Sequence, residues 1–173
     1  MTDAAAIAVL VFVAALLQAT IVPGLDILGG TPDLLLLTLI GIALLRGAIT
    51  GAVAGFCGGL LLDILTLDTL GVTSLVLALA GYWTGRYAET TGRERAHAPL
   101  LAVLVVTVLA TFLGYGLHFL IGEEVSARRV VVETLLPTVG LNLLFAVPVF
   151  SLCRRLLRPF GFSERTAEVQ LLG

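Results

Sequence analysis

The sequence predicts an all-α integral membrane protein of six transmembrane helices. Three observations carry that prediction. Of 173 residues, 58% are hydrophobic and only 13% are charged, the latter about half the share of a soluble domain. The apolar residues fall in charge-free runs of helical length, apolar on both parities and therefore unlike the alternating strands of a membrane barrel. The arginines then gather on one side of the arrangement those runs create. A globule this small has too much surface to hide such an apolar surplus, so its solvent is lipid. In lipid, backbone groups must be satisfied within the segment, which leaves helices. A soluble enzyme, a disordered chain and a nucleic-acid binder with a basic patch are excluded. The net charge of −2 offers nothing to a polyanion.

The first span is expected over 4–22. Met1-Thr2-Asp3 carries no basic side chain, so it lacks the n-region of a secretory signal and the segment is expected to stay in the membrane. Pro23-Gly24 ends it, and Gly29-Gly30 lies in the following turn. The second span, 33–45, starts at Thr31-Pro32-Asp33. Thr31 is the expected cap, Pro32 loses nothing in a first turn, and Asp33 meets the positive end of the helix dipole. From Pro32 to Leu45 such a helix reaches about 21 Å, short of a hydrocarbon core of about 30 Å. Two readings are open: a full crossing with Arg46 snorkelling, or a re-entrant hairpin with the third segment.

The third span is 47–62. The fourth, 69–85, has Asp68-Thr69 as capping chemistry. The fifth is 99–121. The sixth, 134–153, tolerates Pro137 near its start and is expected to kink at Pro148. Residues 1–153 thus form one six-helix domain, and 154–173 form a basic cytoplasmic tail. In that tail Arg154, Arg155 and Arg158 interleave with Leu156, Leu157, Phe160 and Phe162. This is the pattern of a segment lying on anionic lipid, at about 1 kcal/mol per Arg. A cytoplasmic protein partner for the tail is the sharper alternative.

All ten basic residues are Arg. Arg46, Arg86, Arg93, Arg95, Arg154, Arg155, Arg158 and Arg165 fall on one side of the six spans. Arg128 and Arg129 fall on the other, with Glu123, Glu124 and Glu133. Positive charge marks the cytoplasmic side, so both termini are expected inside. Tyr82, Trp83 and Tyr87 then sit at the inner interface, while Asp26, Asp33, Asp63, Asp68 and His118 lie toward the outer face.

The most specific pattern is a glycine ladder. Gly47, Gly51, Gly55 and Gly59 are four apart, and Asp63 continues the series. Each step drifts about 40° around a helix, so the ladder is a slowly winding groove that another backbone can approach closely. It serves either packing among the six helices or docking of a helix from another protein; spacing does not choose. Gly81 and Gly85 add a single further step. Asp63 is expected near the outer boundary at a helix C-terminus. There it is either a solvated acid at headgroup level or a polar partner for Asn142, His118 or Arg128. Gln18 and Asn142 are isolated amides within spans, suited to interhelical hydrogen bonds of about 0.6–2 kcal/mol. His118 is read as a bonded interface histidine.

No pattern suits catalysis, a metal or a cofactor. An intramembrane aspartyl protease needs two facing acids, and Asp63 has no deep second. The array of acids used by phosphatidyl-group transferases is matched only at its tail by Gly59, Asp63 and Asp68, with the wrong spacing. His118 has no nucleophile spaced to it, and no glycine-rich loop carries a Lys for phosphate. Cys57 and Cys153 are far apart in apolar runs, forming neither a disulfide framework nor a metal site.

These residues also carry a resemblance. Pro32-Asp33-Leu34-Leu35-Leu36, Leu45-Arg46-Gly47, Gly51, Gly55-Phe56, Gly59-Leu60-Leu61-Leu62-Asp63, Leu70-Gly71 and Gly81-Tyr82 with Gly85 resemble the rod shape-determining MreD family. Gln18 and Thr20 fit the same pattern, which covers about 18–85; the second half is similar in hydropathy and length. The resemblance implies a non-catalytic, multi-pass protein of the bacterial cytoplasmic membrane, within the rod complex that directs lateral peptidoglycan synthesis. It implies binding to MreC, which has one membrane helix and a large extracytoplasmic part. MreB, RodZ, RodA and a class B penicillin-binding protein are the further partners it implies. It also implies a fold similar to the S components of energy-coupling-factor transporters. The rival function is therefore a vitamin-binding subunit of that kind, with Asp63, His118, Asn142 and Glu123 around an outward cavity. Aromatic residues, at 7%, are sparse for a pocket of that type.

Overall fold

The computed structural model describes residues 2–24, 30–91, 98–122 and 135–157. They form six α-helices: α1 (Thr2–Thr20), α2 (Leu34–Arg46), α3 (Ala48–Thr66), α4 (Val72–Thr91), α5 (Ala98–Ile121) and α6 (Leu136–Leu156). No strand occurs among the described residues. Three stretches are long and apolar enough to cross a membrane: Ala48–Thr66, Pro99–Ile121 and Leu136–Leu156. Ala4–Thr20 and Leu34–Arg46 are apolar but shorter.

Helices α3 and α4 run past the charge-free stretches that mark them in the sequence. α3 continues through Asp63 to Thr66, and α4 through Arg86 and Glu89 to Thr91. A charge limits how far a segment suits lipid, whereas a helix stops only where its backbone does. Pro23 falls in a single 3-10 turn, Val22–Gly24, that closes α1. The cap of α2 is Asp33, not the expected Thr31. The Asp33 carboxylate accepts the Leu36 N–H at 2.9 Å, three residues on, as an N-cap should. Helix α6 continues through Pro148 as one helix.

Helix α2 is the centre of the molecule. Ten consecutive residues, Leu35 to Leu44, are buried, and α1, α3, α4, α5 and α6 all pack on it. A helix that is apolar all round belongs in a core. Its shortness follows from the same fact: hydrophobic mismatch acts on a helix facing lipid, and α2 faces protein. Gly41 brings α6 close, since a Cβ there would lie 3.0 Å from the Cys153 sulfur. The outward side chains are apolar too, among them Phe12, Val53, Phe56, Leu109 and Val147, as lipid-facing surfaces require.

α2 and α3 are joined through Gly47 alone, which caps both. Its φ of 95° is open to glycine and strained for any residue with a Cβ. The first glycine of the ladder is thus a hinge between helices, and only the remaining three lie within α3.

Candidate functional site

The ladder is filled from within the chain. α3 and α4 run antiparallel and form the most extensive helix pair in the molecule. Gly51 meets Gly81, Gly55 meets Leu77 and Ala78, Gly59 meets Thr73 and Ser74, and Gly85 meets Gly47 and Ala48. A Cβ on Gly51 would come within 2.6 Å of the Gly81 carbonyl oxygen. On Gly55 it would overlap the Leu77 carbonyl, and on Gly59 the Ser74 backbone. Two backbones in direct apposition leave no room for a third helix, so α4 takes the place that partner docking on this face would need. Gly58 points elsewhere, toward Val11 of α1 and Leu35 of α2. α3 is therefore glycine-bearing on two faces because it is packed on two.

Asp63 lies at the far end of the ladder and is 1% exposed; it is not a solvated acid. Its expected partners are also replaced. One carboxylate oxygen accepts the Gly71 N–H at 2.8 Å, while the other is buried and has no hydrogen-bond partner among the described residues. The Asp63 backbone carbonyl accepts from Asp68 and from Leu67, the left-handed residue that ends α3. Gly71, at φ 99°, turns the chain back toward Asp63. The acid thus ties the turn between α3 and α4. Asn142 is hydrogen-bonded to Asp33 and Thr107 instead, and Arg128 lies outside the described residues.

The two amides, Gln18 and Asn142, converge on the start of α2. The Asp33 N–H donates to Asn142 Oδ1 at 2.8 Å, and the Leu34 N–H donates to Gln18 Oε1 at 2.7 Å. With Asp33 accepting from Leu36, three N–H groups that a helix start leaves without intrahelical partners are satisfied. Two of those acceptors come from other helices, α1 and α6. Asn142 is fully buried, and its Nδ2 donates to the Thr107 hydroxyl of α5 at 3.1 Å. One amide therefore links α2, α5 and α6. An unmatched buried N–H would cost about 1–3 kcal/mol, which gives polar residues a reason to occupy apolar spans.

The opposite end of α2 is held similarly. Arg46 donates to the Leu157 carbonyl at 3.0 Å, satisfying a C-terminal group of α6. Glu89 of α4 accepts the Ala48 N–H at 2.9 Å and pairs with Arg86 at 3.2 Å. Glu89 caps α3 from across the hairpin, a role the sequence analysis missed. Its only local signal is a carboxylate paired three residues from Arg86 in a helix. Arg86, Arg154 and Arg155 are exposed at this end of their helices. Arg158 lies outside the described residues, as do Glu123 and the remainder of the tail. His118 is half-buried in the last turn of α5. It lines a cavity of about 150 Å³ with Asp33, Thr107, Thr111, Thr138 and Asn142. Asp63 is not among the residues lining it.

This architecture defines a class: a helical membrane protein built round one buried central helix, with the polar side chains described above spent on helix ends. Within that class the family is specific. A family model described as rod shape-determining protein MreD matches residues 3–160, and the chain belongs to that family. The protein is therefore a membrane component of the rod-shape determining system. Neither a curated protein nor a solved structure gives a significant match.

Proposed function

We propose that this chain is a non-catalytic scaffold of the bacterial rod complex. It binds the single-pass protein MreC and supports cell-shape determination and lateral peptidoglycan synthesis. MreB, RodZ, RodA and a class B penicillin-binding protein act in the same assembly. In this reading all six helices cross the cytoplasmic membrane with both termini inside, and the arginines at the Arg46 and Arg154 end face the cytoplasm.

The observation that carries the reading is the engagement of the polar groups. Gln18, Asn142, Asp63, Arg46 and Glu89 each satisfy backbone at a helix terminus. A bundle whose helix ends are clasped by side chains from neighbouring helices keeps one shape. A fixed shape is what a docking partner needs. The partner helix meets a surface other than the ladder, because α4 covers that face. Gly55→Leu would then remove the partner only by breaking the α3–α4 hairpin.

The test is a mild-detergent pull-down of the full chain from its native membrane, read by mass spectrometry. The expected result is recovery of a one-helix protein with a large extracytoplasmic part. Recovery instead of two ATPases and a helical coupling protein would establish the vitamin-transport rival and end the scaffold reading.

A further inference from the structure

The turn between α3 and α4 spends a leucine where the chain elsewhere uses glycine. Helices commonly end on a left-handed residue, usually glycine and sometimes asparagine. Gly47, Gly71 and Gly122 hold positive-φ positions at 95°, 99° and 95°. Leu67 ends α3 at φ 55° and is the one non-glycine residue with positive φ among the described residues. Its side chain is 92% exposed, and Leu70, three residues on, is 67% exposed. A Cβ makes the left-handed backbone costly, and packing within the chain does not offset it. A contact outside the chain would.

The turn that presents these leucines is held at both ends. The Asp63 carbonyl accepts the Asp68 N–H at 3.1 Å, and the Asp63 carboxylate accepts the Gly71 N–H at 2.8 Å. The Asp68 carboxylate accepts the Thr69 N–H at 2.7 Å, and the Ser74 hydroxyl donates to the Gly71 carbonyl at 3.0 Å. A contact organised in advance loses little freedom on binding.

Hydrocarbon does not reach it. α3 has 19 residues and is about 28 Å long, close to a hydrocarbon core of about 30 Å. Its first residue, Ala48, is bonded to Glu89 and lies two residues after Arg46, so that end belongs at the inner edge of the core. Thr66 then reaches the outer edge, and Leu67 to Leu70 lie beyond it. Water and headgroups at that level offer a leucine little, whereas an apolar cleft of protein removes it from water. Between the two leucines stands Asp68, exposed and acidic. Anionic headgroups repel it, and a basic rim attracts it.

We propose that the α3–α4 turn is a docking knob. Leu67 and Leu70 enter an apolar cleft, rimmed by basic side chains, on the extracytoplasmic part of the single-pass partner. The proposal rests on the scaffold reading and adds to it the place and chemistry of the contact.

The full chain is captured in mild detergent from its native membrane, the partner is quantified by mass spectrometry, and a Tm is taken for each variant. Leu67→Gly removes the side chain and relieves the backbone, so the Tm is unchanged or rises by about 1–4 °C. Combined with Leu70→Ser, it lowers recovery of the one-helix protein by about tenfold or more. Leu67→Met and Asp68→Glu keep the recovery, while Asp68→Arg lowers it. A photoreactive benzoylphenylalanine at position 67, irradiated in the native membrane, forms an adduct with the extracytoplasmic part of that protein. A fall in Tm for Leu67→Gly means that the side chain packs within its own chain and overturns the proposal. Undiminished recovery by the double variant, or adducts with lipid alone, overturns it and leaves the scaffold reading standing. Failure of the unaltered chain to recover any one-helix protein overturns both.

Discussion

At the scale of single residues, burial decides what each polar group is worth. Asn142 and Gln18 look alike in the sequence, each an amide alone in an apolar run. Asn142 is fully buried and joins three helices, whereas Gln18 is half-buried and joins two. Asn142→Leu is therefore expected to lower stability by about 1–3 kcal/mol, through an unpaired Asp33 N–H. Gln18→Leu should lower it by less. Denaturant unfolding in detergent, followed by tryptophan fluorescence of Trp83, would rank the two. Leu67 offers the reverse case. It has φ 55° and is 92% exposed, so its side chain contributes little packing to offset the left-handed backbone. Leu67→Gly should raise stability by about 0.5–1 kcal/mol, read by the same unfolding curve.

At the scale of elements, the glycines sort by what stands opposite them. Gly55 abuts backbone, and Gly116 of α5 has nothing within 4 Å. Backbone cannot rotate away from an added methyl as a side chain can. Gly55→Ala should cost about 1–3 kcal/mol through overpacking, while Gly116→Ala should gain about 0.5–1 kcal/mol in helix propensity. Paired thermal melts would check the contrast; equal effects would remove the close α3–α4 apposition. The ladder's spacing announces a close helix contact. It does not announce the partner, because i, i+4 glycines look the same whether the opposing helix is twenty residues away or in another protein. The same limit applies to Glu89. A cap is legible when its residue precedes the helix it serves, as Asp33 precedes α2. Glu89 serves a helix that begins 41 positions earlier.

At the scale of the whole molecule, the proposed six crossings predict sidedness. In a background with Cys57→Ala and Cys153→Ala, a cysteine at Thr69 should react with an impermeant maleimide in intact cells. One at Thr91 should react only after permeabilisation. Labelling of both, or of neither, from outside would change the crossing number. The fold explains how a helix of 13 residues, α2, stands among longer ones. Enclosure by five neighbours removes it from lipid, and side chains from α1 and α6 serve the N–H groups that its early start leaves buried.

A lipid solvent, six helices in their order, and a close approach along the glycine ladder are all legible along the chain. Composition and local spacing are sufficient for those, because lipid partition and helix geometry act on contiguous residues. That α2 is the core, that α4 fills the ladder, that Asp63 is buried against Gly71, and that Asn142 and Gln18 cap a helix neither belongs to become visible in the folded molecule alone. Each of these joins groups distant along the chain, or closes a turn around a buried acid. Hydrogen-bond satisfaction in a low-dielectric interior depends on which atoms meet in space, and no periodicity in the chain records that.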